Sequence, residues 1–316
     1  MTRNAYPLAL LSAMLACSLF TAPAHARARV FVASYGNDSN PCTFLSPCKT
    51  FQIGVNTVDA GGEVTAIDSA GFGPIGITKA VTITSPDGVE AGIVPVSGGN
   101  AITIHAGSTD AIVLHGLTLN GSGVGANGIV FNSGASLSIA DCAVRNMTGN
   151  GLAFFPNVTT TTTLAVSNSY FNNNGNSAMF ISPNSSGAIT ASIERTGFYA
   201  NPGTGLVVNG NSGTGALTVA VTDSVAANNG NGGFLVESSA AGSVSNLSLT
   251  HSLAEGNAFG VVSGGANATL WLAQSTVTGN SSAGFEALIG VINTFQDNYF
   301  SNNGPNIGSL AGVGKL

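Results

Sequence analysis

Asp141 and Arg145 stand four residues apart, Arg195 follows Asp141 after two structural repeats, and Asp223 and His251 each follow after one more. A carboxylate beside a guanidinium can orient a substrate acid and move a proton, and grouped carboxylates can serve as acid, base or cation ligands. These are the weak catalytic candidates: Asp141, Arg145, Arg195 and Asp223. Such chemistry requires convergence. Here Asp141 with Arg145 is an isolated pair, and no Lys lies between Lys79 and Lys315. The sequence spreads its charges out, so what positions them matters more than what they are.

The positioning pattern is a repeat. Leu114, Ile139, Val166, Ile193, Val221, Leu249, Leu272 and Phe295 form one apolar column with steps of 23 to 28 residues. Two residues earlier lie Ile112, Leu137, Leu164, Ala191, Val219, Leu247, Leu270 and Asn293, the period of two that a strand with one buried face requires. Three residues after the column come Cys142, Ser169, Thr196, Ser224, Ser252 and Ser275, and after those an apolar position and an Asn-containing turn. Strand, polar corner, strand, Asn/Gly turn and a third short run make one coil of a parallel β-helix, stacked about 4.8 Å above the last. A leucine-rich repeat fits only the first coil, a propeller blade needs roughly 40 residues, and the Gly-Gly-x-Gly-x-Asp pattern of calcium-binding nonapeptides is absent.

In this register, two residues after the column stand Gly116, Asp141, Asn168, Arg195, Asp223, His251, Gln274 and Asp297, with His115 and Glu194 just before them. They form a polar ladder along the rod, either a corner that is simply wet or a binding stripe. One residue before the column, facing out, stand Val113, Ser138, Ala165, Ser192, Ala220, Ser248, Trp271 and Thr294. This face of mostly small side chains carries the single tryptophan, on which a sugar ring could lie with Ser and Thr as hydrogen-bond partners. Packing of Trp271 beneath a loop or against another subunit is the alternative. The candidate binding residues are thus Trp271, Asp141, Arg195, Asp223 and His251.

Composition agrees with strands and tight turns: 43 glycines, 44% hydrophobic residues and only 7% charged. A formal net charge of -6 leaves no basic face for a phosphate backbone, which argues against nucleic-acid partners. One elongated domain accommodates the 316 residues, because a solenoid grows along one axis.

Residues 1–26 read as an export signal, with Arg3, an apolar run from Leu8 to Phe20 and the cleavage site Ala24-His25-Ala26. The run is too short for a membrane span, so none is expected after cleavage. Cys17 offers a poorer lipoprotein site. Residues 27–62 form an N-terminal cap. In an exported chain Cys42 and Cys48 are expected to be disulfide-bonded, since no nearby His or further Cys supports a metal site. Phe51, Val55 and Val58 have the spacing of one helical face, and a short helix ending at Gly61-Gly62 would cover the open end of the first coil. Residues 63–300 are the β-helix, and 301–316, rich in Gly and Asn, are expected to be a loose tail. Cys142 reads as a buried free thiol.

The runs Val32-Ala-Ser-x-Gly36-x-Asp38, Pro41-Cys-Thr43 and Ser46-Pro-Cys-Lys-Thr-Phe51 resemble the amino-terminal cap of exported bacterial right-handed β-helix proteins of the pectin-lyase-like superfamily. In that group Gly usually precedes the position of Thr43 and an aromatic precedes that of Lys49; Cys at both places here implies a stapled cap. Phe171 to Asn174, Phe198 to Asn201 and Phe300 to Asn303 are similar to the Phe-x-x-Asn repeats of β-helical adhesins. The resemblance implies an all-β, single-stranded right-handed parallel β-helix with a short helical cap, located in the periplasm, on the cell surface or outside the cell. It spans lyases, hydrolases, epimerases, adhesins and proteins of no assigned activity. The Gly-His-Gly and Arg-x-Lys signatures of galacturonan hydrolases and the acidic cluster of calcium-dependent lyases are missing. The expectation is therefore a non-catalytic protein binding a glycan or a surface partner. The alternatives are an enzyme acting on an acidic polysaccharide, with calcium only if it is a lyase, and a structural rod of the envelope or matrix.

Overall fold

The computed structural model describes residues 27–239 and 241–314. The segment read as an export signal, with Cys17, lies outside the described residues. The chain coils into three parallel sheets of 12, 10 and 9 strands, and each coil gives one strand to each sheet in turn. The 12-stranded sheet takes the longest strands, such as Thr162–Ser167, Ile189–Glu194 and Leu217–Thr222, in which buried and exposed residues alternate. The protein is thus a parallel β-helix capped by one short helix.

Neighbouring coils stack like on like. Leu114, Ile139, Val166, Ile193, Val221, Leu249 and Leu272 pair in register and are buried. From the nine-stranded side Phe131 stacks on Phe154 at 4.5 Å, and Phe198 contacts both Phe171 and Phe234. Apolar burial on this scale drives the coiling.

Buried polar ladders hold the corners. Cys142 N–H donates to Ser169 Oγ, Thr196 N–H to Ser224 Oγ and Ser224 N–H to Ser252 Oγ, while each hydroxyl donates to the carbonyl two residues earlier. At the turn after the ten-stranded sheet, Asn174, Asn201, Asn229, Asn257 and Asn280 each donate an Nδ2–H to the Oδ1 of the next coil at 2.9 to 3.1 Å, ending on Asn303. Each Asn oxygen also accepts a backbone N–H from the coil before it, as in Asn229 N–H to Asn257 Oδ1. These amides satisfy main-chain groups that the turns would otherwise leave buried and unpaired.

At the N-terminal end, the helix Phe51–Thr57 is capped by Thr50, whose side chain accepts from Ile53 N–H. Phe51, Val55 and Val58 are buried against the first coil. Cys42 and Cys48 are bonded. The strand Arg29–Val32 already belongs to the 12-stranded sheet, pairing with Gly62–Ala66, so the β-helix begins within the capping segment. The helix is far too short to cross a membrane, and no other helix among the described residues does so.

Two expectations need correction. In the last coil Ile292 pairs with Leu270, Asn293 with Trp271 and Thr294 with Leu272. The inward residues are therefore Ile292 and Thr294, 0% and 6% exposed, and not Asn293 and Phe295. A slip of one residue exchanges the faces of a strand: this register buries Ile292 and Thr294 and spares the core the Asn293 amide, at the cost of leaving Phe295 on the outer face. Residues 301–316 are also more than a loose tail: Leu310–Gly312 adds the last strand of the 12-stranded sheet, with Leu310 against the core.

Candidate functional site

The polar ladder sits where the chain leaves the 12-stranded sheet and turns within a single residue. Such a turn demands a left-handed backbone, and Gly116, Asp141, Asn168, Arg195, Asp223, His251 and Gln274 all have φ between 45° and 70°. Gly, Asn and Asp adopt this conformation with least strain. In the shifted last coil Gln296, not Asp297, takes the position, and Asp297 instead accepts from Gln274 N–H. The ladder's geometry is thus a property of the corner.

Its charges pair locally. His115 Nε2 lies 3.1 Å from Asp141 Oδ2, and His251 Nδ1 lies 3.9 Å from Asp223 Oδ1. Arg195 is held by Glu194 and donates from Nε to Asn168 Oδ1 at 2.7 Å. Arg145 belongs to the strand Ala143–Arg145 on the ten-stranded sheet, and no ion pair joins it to Asp141 among the described residues. Asp141, Arg195, Asp223 and His251 therefore share one edge of the rod without converging on one point. Among the described residues no three His, Cys, Asp or Glu are grouped where they could hold a metal ion.

Trp271 gathers more around it. It stands on the outer face of the strand Ala268–Ala273, half-buried, with its ring 6.2 Å from that of Phe295 and tilted by 30°. The two aromatics, with Ser248, Leu249, Thr250 and Ala273, line a shallow cleft of about 230 Å³. Phe295 reaches this face because of the register of the last coil. The repeat pattern of the sequence carried no signal for this, because it fitted a buried Phe295.

A larger groove of about 350 Å³ runs over Asn120, Asn146, Met147 and Asn173. Its amides are already spent on one another, Asn146 donating to Asn120 at 3.0 Å and Asn173 to Asn146 at 2.7 Å. Cys142 is buried without a disulfide partner, and burial pushes its thiol from 9.0 up to about 12, so it is no nucleophile at neutral pH.

Stacked parallel coils with inward ladders define a parallel β-helix protein. Residues 100–272 match the family described as the right handed beta helix region, and the chain belongs to that family. No curated protein matches the chain. Among solved structures it is similar to pectate lyase Pel9A, with 16% identity over 91% of this chain and 77% of that one, and a TM-score of 0.58. A second match is the A-module of the Azotobacter vinelandii mannuronan C-5 epimerase AlgE4, with 14% identity, 81% and 91% coverage and a TM-score of 0.46. At such identities the likeness is one of fold.

Proposed function

We propose that this chain is an exported, non-catalytic β-helix that binds a glycan on the outer face of its 12-stranded sheet, at Trp271 and Phe295. The observation that carries this reading is the aromatic cleft, which stands out on a face made mostly of small side chains. Sugar rings present apolar C–H faces to aromatic rings and hydroxyls to neighbouring polar side chains. The Cys42–Cys48 bond is compatible with an oxidising compartment: the periplasm, the cell surface or the medium.

The second reading, an enzyme acting on an acidic polysaccharide, draws on the fold shared with a pectate lyase. Against it stands the dispersion of Asp141, Arg195, Asp223 and Arg145 over separate coils and sheets. A purely structural rod would need no aromatic cleft.

Replacing Trp271 by Ala removes a stacking contact worth on the order of 1 kcal/mol, so glycan affinity should fall about fivefold while the melting temperature stays nearly constant. A glycan array followed by titration of wild type and variant makes the measurement; unchanged binding would move the site elsewhere. Turnover of a uronate polymer that is lost on replacing Asp141 or Asp223 would establish the enzymatic reading instead.

A further inference from the structure

Resting on that reading, we infer that the cleft selects an uncharged glycan and rejects uronate polymers. The first ground is the charge map. Between Arg195 and Lys315 the sequence contains no Lys or Arg, and of the acids in this stretch only Asp223 and Asp297 lie at the edge of the 12-stranded sheet, while Glu237, Glu255 and Glu286 lie on the other two sheets. The cleft lies within this stretch. The nearest guanidinium on the same sheet edge, Arg195, is already held by Glu194 and Asn168. The lining side chains carry no charge, Asp223 is set against His251 at 3.9 Å, and among the described residues no Lys or Arg stands here to pair with a uronate carboxylate.

The second ground is the lining. Ser248 and Thr250 border the cleft and Asn293 pairs with Trp271 on the next coil. Their side chains make no hydrogen bond to any described residue, unlike the buried Asn ladder, whose amides are saturated. They are free hydroxyl and amide groups beside an aromatic surface, the complement of a neutral sugar.

The test is calorimetric titration of the full exported chain with a β-1,4-linked glucose hexasaccharide and a galacturonate hexasaccharide, at low and high salt. The neutral oligomer should bind at least about tenfold tighter, with no salt dependence, and Phe295→Ala should weaken it as Trp271→Ala does. Thr250→Lys, on an exposed face and harmless to the core, should bring in uronate binding that high salt abolishes. Equal or tighter binding of the uronate by the wild type, still dependent on Trp271, would overturn the neutral-ligand inference and leave the glycan reading standing. If neither oligomer binds in a Trp271-dependent way, both fall. Melting curves of each variant separate lost binding from lost folding.

Discussion

At the N-terminal end of the rod, the edge strand Arg29–Val32 is covered by dedicated sequence. Phe31 N–H donates to Cys42 O, Cys48 N–H to Phe31 O and Ala33 N–H to Cys48 O, so the disulfide loop pairs with the strand as another strand would. The Asp38 carboxylate accepts from the N–H groups of Lys49 and Thr50, fixing the start of the helix that lies over the core. The C-terminal end is closed by a shortened coil. Ile307 bridges to Glu286, Leu310–Gly312 completes the 12-stranded sheet, and Leu288, Ile289 and Tyr299 remain 50%, 84% and 63% exposed. Both solutions cover strand edges that would otherwise recruit other chains. They differ in how much each one buries: the first end is sealed by a packed, cross-linked plug, the second by a single layer.

The sharpest way to break this comparison is Phe51→Ala. Phe51 is 0% exposed and stacks against Phe72, so its loss should cost about 3 to 5 kcal/mol in denaturant unfolding. Next, Cys42→Ser opens a loop of sequence separation 6 and should lower stability by about 2 kcal/mol, with no further loss when reductant is added. Leu310→Ala, in the partly buried closing strand, should cost only about 1 kcal/mol, with amide exchange faster over the last coil and unchanged near Phe51. If Leu310→Ala destabilised the protein as much as Phe51→Ala, the two ends would be equivalent seals.

The smallest effect is expected at Cys142, which starts the corner ladder continued by Ser169. Cys142→Ser should change stability by under about 1 kcal/mol at neutral pH, because a serine there can bond as Ser169 does to the carbonyl two residues back. Its pH signature is sharper. Burial raises the folded thiol from 9.0 to about 12, so between these values the unfolded chain loses a proton that the folded chain keeps. That contribution to stability is complete below pH 9 and disappears as pH rises towards 12. Wild type should therefore lose more stability than Cys142→Ser in unfolding curves measured across that window.

The sequence by itself determined the repeat, because alternation of buried and exposed residues is forced on any strand with one face in a core. Leu114 to Leu272, the helix face of Phe51, Val55 and Val58, and the Cys42–Cys48 staple were all legible in it. Trp271 could be placed on the outer face by the same parity. The polar ladder was legible as positions, but its cause was not: left-handed corners are set by how tightly two strands must be joined. Nor was the Asn ladder visible as one object, since each amide bonds to a coil 23 to 28 residues away and only stacking brings them into line. The tertiary structure alone decided the final coil. A strand's side-chain period is two, so the one-residue difference between burying Phe295 and burying Ile292 reverses every face. Pairing with the strand Ala268–Ala273 buries Ile292 and Thr294, keeps the Asn293 amide out of the core, and so places Phe295 beside Trp271.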